Sequence, residues 1–213
     1  MIQLETVVIS ANKNETNRLE APIVVHVMTP KLFENTNSVC LAQGLSFQPG
    51  LRVETNCQNC GFQQVRINGL DGPYTQLLLD GKALFSSLNG VYGIEQIPTG
   101  MIERVEVMRG GGSALYGANA IGGTVNIITK EPLNNLFMIS HNLTAIGNSA
   151  YDNTTSLNTS LVNSQRDAGI YLFGTSRHRQ HYDHDGDHFS EIGKLKLTTL
   201  GFRSFYKPTS QTK

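Results

Sequence analysis

The densest collection of ligand-type side chains in this chain is HRQHYDHDGDHFSE at 178–191, which sets His178, His181, His184 and His188 among Asp183, Asp185, Asp187 and Glu191. Carboxylates at alternate positions suit a hard cation such as calcium, and imidazoles suit haem iron. The spacing is not that of an EF-hand. Counted from Asp183, Gly186 falls at the fourth place rather than the sixth, and Lys194 stands where the bidentate Glu is required. A solvated polar loop is the plainer expectation; if the loop does hold calcium, His181, Asp183, Asp185 and Asp187 are the candidate ligands.

A second cluster, NCQNCG at 56–61, carries Cys57 and Cys60, with Cys40 apart from them. Two cysteines at this spacing fit a redox centre, half a zinc site or a structural disulfide. No second CxxC completes a zinc ribbon, and the turn-like Asn56–Gly61 leads into a strand rather than a helix, which argues against thioredoxin-like chemistry. Two glycine-rich stretches also fail as nucleotide sites. In GANAIGGT at 117–124, Gly123 occupies the place of the phosphate-binding Lys, and in RGGGSAL, Leu115 occupies the third glycine of a dinucleotide fingerprint. No Ser-His-Asp arrangement or paired-carboxylate pocket can be placed from the sequence.

The elements that must carry these residues are short and β-rich. The chain has 213 residues, 17 Lys+Arg against 17 Asp+Glu, only 16% charged residues, 21 Gly and no Trp. The neutral balance does not support a nucleic-acid-coating role. Low charge with abundant Gly suggests β-structure with many turns. No apolar run reaches the ~20 residues of a membrane-spanning helix, which leaves a membrane β-barrel open because its strands alternate. No signal peptide is legible after Met1, so the start is expected either to be cytoplasmic or to have been lost.

From 1 to 132, β-rich runs at Val7–Ile9, Ile23–Val27, Leu51–Glu54, Val65–Ile67, Leu77–Leu79, Val105–Met108 and Val125–Ile128 are broken by Gly, Pro and Asn clusters. Short helices are expected at Ser38–Leu45, capped by Ser38, and at Ser113–Tyr116. After Pro132 the texture becomes strand and turn: Leu136–Ala145, Thr154–Val162, Gly169–Arg177 and Gly193–Tyr206. In the last of these, Leu195, Leu197, Thr199, Gly201, Arg203 and Phe205 share one face, with Lys194, Lys196, Thr198, Leu200, Phe202, Ser204 and Tyr206 on the other. Four such strands cannot close a barrel, which takes about eight at the least. The chain is therefore expected to be a fragment.

Residues 102–130, IERVEVMRGGGSALYGANAIGGTVNIITK, closely resemble the plug of TonB-dependent outer-membrane receptors: an I-E-R-V-E-V strand, a basic residue, a glycine turn with Ser, then L-Y-G, A-x-G-G and a closing V-N-I-I strand. Gly111 departs from the usual Pro. QVRINGLDGPYTQLLLDGKAL at 64–84 resembles the family's R-I-x-G…L-L-D-G segment, and ETVVISANK at 5–13 resembles a TonB box. The resemblance implies an α+β plug domain followed by the start of a transmembrane antiparallel β-barrel, truncated. It divides the chain into a TonB-box segment at 1–13, a plug at 14–132 and the first four or so barrel strands at 133–213.

What the resemblance implies about function is specific. Glu5, Thr6, Val7, Val8, Ile9 and Ser10 would pair as an edge strand with TonB, itself driven by ExbB and ExbD. The 54–63 and 82–92 loops would form plug apices facing the substrate, through Asn56, Gln58, Asn59, Phe62, Phe85, Ser86, Ser87, Asn89 and Tyr92. Partners would be outer-membrane lipid and a small nutrient, an iron siderophore, haem or cobalamin, with or without a surface lipoprotein. In that oxidising setting Cys57 and Cys60 would form a disulfide, leaving Cys40 as a buried helix residue, with pairing of Cys40 to either one as the alternative. The competing reading is a surface or periplasmic metal-binding module built on the 178–191 loop.

Overall fold

The computed structural model describes residues 8–9, 16–17, 23–57, 62–84 and 89–207. Up to Thr129 the order is β1 (Val8–Ile9), β2 (Thr16–Asn17), β3 (Val25–Met28), α1 (Pro30–Asn35), α2 (Leu41–Leu45), β4 (Leu51–Cys57), β5 (Phe62–Ile67), β6 (Thr75–Leu79), β7 (Lys82–Ala83), α3 (Asn89–Gln96), β8 (Ile102–Arg109), α4 (Ser113–Tyr116) and β9 (Gly123–Thr129). Four long strands follow: β10 (Leu136–Ile146), β11 (Ala150–Val162), β12 (Ala168–Arg179) and β13 (Leu195–Tyr206).

The N-terminal domain is organised by a five-stranded sheet in the order β3-β8-β9-β6-β7. Strands β8 and β9 carry near-continuous apolar runs, VEVM and TVNII, because both of their faces are covered. Val105, Val107, Val125 and Ile127 are fully buried and pack with Phe33 of α1, Leu41 and Leu45 of α2, Ile94 of α3 and Ile67 of β5. Each such side chain contributes about 1.5–3 kcal/mol by leaving water. Charge on β8 is retained in a local pair, with Arg104 Nε 2.8 Å from the Glu106 carboxylate. The Asp80–Gly81 turn between β6 and β7 has positive φ at both residues, 49° and 76°, the geometry that a two-residue hairpin demands and the reason for an Asp-Gly pair there.

Two helices were not expected. Pro30 opens α1 directly after extended Thr29, a start signal on a six-residue helix too short to show periodicity. The run NGVYGIEQ of α3 contains two glycines and reads as loop, yet Ile94 anchors it in the core. Helix α2 starts at Leu41, later than expected, with Cys40 rather than Ser38 at its N-cap. Ser38 instead turns its hydroxyl to Thr36, 2.7 Å away. Helix α4 falls where the sequence placed it.

Strands β10 to β13 form an antiparallel four-stranded wall with unbroken register. The first turn is shorter than the sequence suggested, since β11 begins at Ala150 rather than Thr154, and β12 runs on to Arg179. The wall is polar towards the N-terminal domain: Asp152, Thr154, Asn158, Ser160, Tyr171, Thr175 and Arg177 are buried there. Its other face presents Phe137, Ile139, Leu157, Leu161, Leu172, Leu200, Phe202 and Tyr206 to the outside. In β13 the two faces separate as the alternation required, with Leu195 through Phe205 half-buried at every second position and Leu200 and Phe202 83% and 70% exposed.

Candidate functional site

The inner face of the wall meets the N-terminal domain through polar groups at three heights. Near the 180–194 connection, Arg177 of β12 is only 3% exposed and grips Asp152 of β11, with Nε 3.1 Å from Oδ1 and Nη2 2.6 Å from Oδ2. Its Nη1 points into the N-terminal domain, 3.4 Å from Glu95 Oε1 of α3 and 3.6 Å from the Cys40 sulfur. Arg179, two residues on and so on the same face, also reaches Glu95 Oε1 at 3.4 Å and donates from Nε to the Gly193 carbonyl at 3.1 Å. Thr199 of β13 donates to the carbonyl of Gln96 at the end of α3, 3.2 Å.

Midway down, the Tyr171 hydroxyl donates to the Gly100 carbonyl at 2.6 Å and lies 2.9 Å from the Asn158 side-chain amide. Towards the far end, Arg203 of β13 donates to the Thr129 carbonyl (2.9 Å) and hydroxyl and to Glu131 (2.8 Å), and pairs with Asp80 at 3.4 Å. Asp80 is held for this by the Thr129 amide and hydroxyl, 2.9 and 2.8 Å from its two oxygens. The neutral hydrogen bonds in this contact are ones that water can replace, each contributing about 0.5–1.5 kcal/mol net, whereas the arginine–carboxylate bonds contribute about 1.5–3 kcal/mol each.

Cys40 is a free, buried thiol. Burial pushes its pKa up, against the opposing pull of the Arg177 charge. The thiolate is the reactive form, so Cys40 is expected to resist alkylation by iodoacetamide at pH 8 in the folded protein and to react within minutes once urea unfolds it. Rapid labelling of the folded protein, read by mass spectrometry, would show that the junction opens spontaneously.

The expected ligand loop is drawn together differently from its sequence. Carboxylate oxygens of Asp183, Asp185, Asp187 and Glu191 lie within 4.8 Å of one another. His181 is not among them, and Glu191 takes its place. Each carboxylate also closes the loop on itself: Asp183 accepts from the amides of Gly186 and His188, Asp185 from Asp187, Asp187 from Phe189 and Glu191 from His184. Short acidic side chains bonding to nearby amides are the ordinary chemistry of polar turns.

Of the expected TonB-binding residues, Val8 and Ile9 form β1 and, among the described residues, pair with Asn17 and Thr16, outside the five-stranded sheet. Glu5, Thr6, Val7 and Ser10 lie outside the described residues, as do Gln58, Asn59, Cys60, Phe85, Ser86 and Ser87. Asn56 and Cys57 belong to β4 and Phe62 to β5, while Asn89 and Tyr92 belong to α3 rather than to a loop.

A family model described as TonB-dependent Receptor Plug Domain matches residues 17–124, half of the chain. The chain belongs to that family. Its N-terminal domain is a plug, and β10–β13 are a partial set of antiparallel barrel strands. Among curated relatives, the Vitamin B12 transporter BtuB of Vibrio vulnificus (strain CMCP6) is 35% identical over 127 residues, covering 60% of this chain and 21% of the relative. BtuB of Vibrio cholerae serotype O1 is 31% identical over 126 residues, again covering 21% of its length. Among solved structures, the siderophore receptor PirA from Acinetobacter baumannii superposes with a TM-score of 0.73 at 23% identity, over 88% of this chain and 30% of that one. The ferric yersiniabactin uptake receptor FyuA from Yersinia pestis gives 0.64 at 19% identity, over 89% and 29%. The chain thus spans about a fifth of the curated relatives and under a third of these structures.

The residues that join plug to wall were missed in the sequence. Arg177 and Arg179 sit in phase with Tyr171, Phe173 and Thr175, so strand alternation placed them inside. An arginine on the inner phase of a barrel strand was the available signal. Its partner on α3 had none, because Glu95 is 82 residues away in sequence.

Proposed function

We propose that this chain is the plug and first wall strands of an outer-membrane active transporter for a scarce nutrient, an iron siderophore, haem or cobalamin. The observation that carries the proposal is the inverted wall, polar and charged against the plug and with most of its large apolar side chains on the outer face, where they flank a polar row of His141, Thr155, Ser176 and Thr198. Such a sheet suits lipid outside and a removable plug inside, as transmembrane barrels alternate. The relatives' names support the substrate range, since they include vitamin B12 transporters and siderophore receptors. Residues 5–10 would leave the plug and add as an edge strand to TonB, whose pull, powered through ExbB and ExbD, remodels the plug. That β1, among the described residues, pairs with β2 and not with the five-stranded sheet fits a segment separable from the plug core. No bond is made or broken in the cargo, so no enzymatic step is assigned.

Deleting residues 5–10 in the full-length receptor tests this. Growth on cyanocobalamin, haem or a ferric siderophore as sole source should be lost, while the receptor stays in the detergent-extracted outer-membrane fraction. Unchanged growth on the one nutrient that the intact receptor supports, or recovery of the receptor without detergent from the periplasm, would overturn the reading.

A further inference from the structure

We propose that Arg177 and Arg179 form an anion-binding site on the barrel wall that Glu95 occupies in this state, and that an oxyanion group of the cargo, a carboxylate or a phosphate, exchanges with Glu95. The proposal rests on the transporter reading and names a chemical feature of its cargo. Three observations carry it.

The first is the charge balance. Guanidinium groups stay protonated at every accessible pH, so the wall carries two positive charges here whatever the plug does. Asp152, on the adjacent wall strand, answers Arg177 with three contacts of 2.6–3.1 Å. Arg179 makes no ion pair with a wall carboxylate among the described residues, although Asp152 stands opposite it in the β11–β12 register; the carboxylate it contacts is Glu95, which belongs to the plug. Withdrawing α3 therefore leaves two guanidiniums and one carboxylate in a partly enclosed, low-dielectric position, where a missing counter-charge is costly.

The second is the length of the plug's own contacts. Glu95 lies 3.4 Å from both arginines, against the 2.7–2.9 Å usual for a charge-assisted hydrogen bond. One oxygen is shared between two donors and bonds tightly to neither. An incoming oxyanion with free geometry can do better.

The third is space. A cavity of about 220 Å³ adjoins the pair, lined also by Asn37, Gln43, Thr144 and Thr154. That is below the roughly 300–1,000 Å³ of small-molecule pockets, yet ample for a single carboxylate or phosphate. The site thus takes one group of the cargo rather than the whole of it. It lies beside Gly193, at the end of the wall bearing the 180–194 connection. The helix that must yield, α3, begins within the 82–92 segment expected to face the substrate.

The test uses the full-length receptor in detergent, with pyrophosphate and citrate as probes and sodium chloride at equal ionic strength as control. Either probe should speed hydrogen–deuterium exchange of the α3 amides at least about threefold over chloride. Glu95→Gln, which removes the internal competitor, should bind the probe at least about threefold more tightly by calorimetry, and Arg179→Gln should lose it. A response to one probe alone supports the site and assigns the group. Unchanged α3 exchange with both probes, or undiminished binding in Arg179→Gln, would overturn it. Neither TonB nor nutrient enters these measurements, so their failure is separable from a failure of the growth test.

Discussion

Asp152→Ala in the full-length receptor is expected to lower its stability by about 3–5 kcal/mol, the cost of leaving a buried charge without its partner. Arg177 is 3% exposed, enclosed by Asp152 and by its contacts with Cys40 and with Glu95 of α3. With Asp152 gone it keeps only the shared Glu95 oxygen at 3.4 Å and a thiol at 3.6 Å, neither a replacement for a carboxylate held by three contacts. The double variant Asp152→Ala/Arg177→Met should regain most of the loss, because an apolar side chain of similar length needs no counter-charge. Removing Arg177 alone should cost less than removing Asp152 alone, since Asp152 then keeps Arg179 as its opposite neighbour in the β11–β12 register. Urea midpoints for the three variants decide the matter. A loss under about 1 kcal/mol for Asp152→Ala would mean that water already reaches Arg177.

Barrel and plug were unequally visible in the sequence. Alternation needs only the strand itself, so the residues of β13 could be divided between two faces one by one, although which face is inner could not be read from them, and the structure keeps that division at every described position. The central plug strands were also legible, because residues buried on both faces leave near-continuous apolar runs, here interrupted by Glu106 and Asn126. Helix α3 was hidden for the opposite reason. Its two glycines lower its helical propensity, and what holds it is tertiary: Ile94 in the core, and Glu95 and the Gln96 carbonyl on the wall. The acidic loop shows a third kind of limit. Its residue types fitted a cation, but types alone do not distinguish carboxylates aimed at a metal from carboxylates closing a turn, and here each accepts a backbone amide. Charge pairs such as Glu95–Arg179 depend on which surfaces meet, and neither residue's neighbours in the chain record that.

Gly123→Ala should unfold the plug more effectively than any exposed glycine substitution in this chain. Gly123 opens β9 with φ of 140°, and a Cβ there would stand 2.2 Å from the Met108 carbonyl oxygen and 3.0 Å from the Ile67 side chain. The carbonyl is backbone of β8, whose register against β9 sets the centre of the five-stranded sheet, so no rotamer change relieves the contact. Strain at positive φ costs about 1–3 kcal/mol. Overpacking adds about 1–3 kcal/mol, giving about 2–6 kcal/mol in all. Gly69→Ala supplies the control: its φ is 81°, but nothing lies within 4 Å of the added Cβ, so only the backbone strain remains. The difference between the two variants isolates the close approach of the strands. Because the wall has its own unbroken ladder, Gly123→Ala should leave the barrel assembled around a plug that added protease digests, whereas Gly69→Ala should leave the plug resistant. Equal protease resistance of the two variants would show that β8 and β9 can shift apart without loss, and that their register is not what holds the plug together.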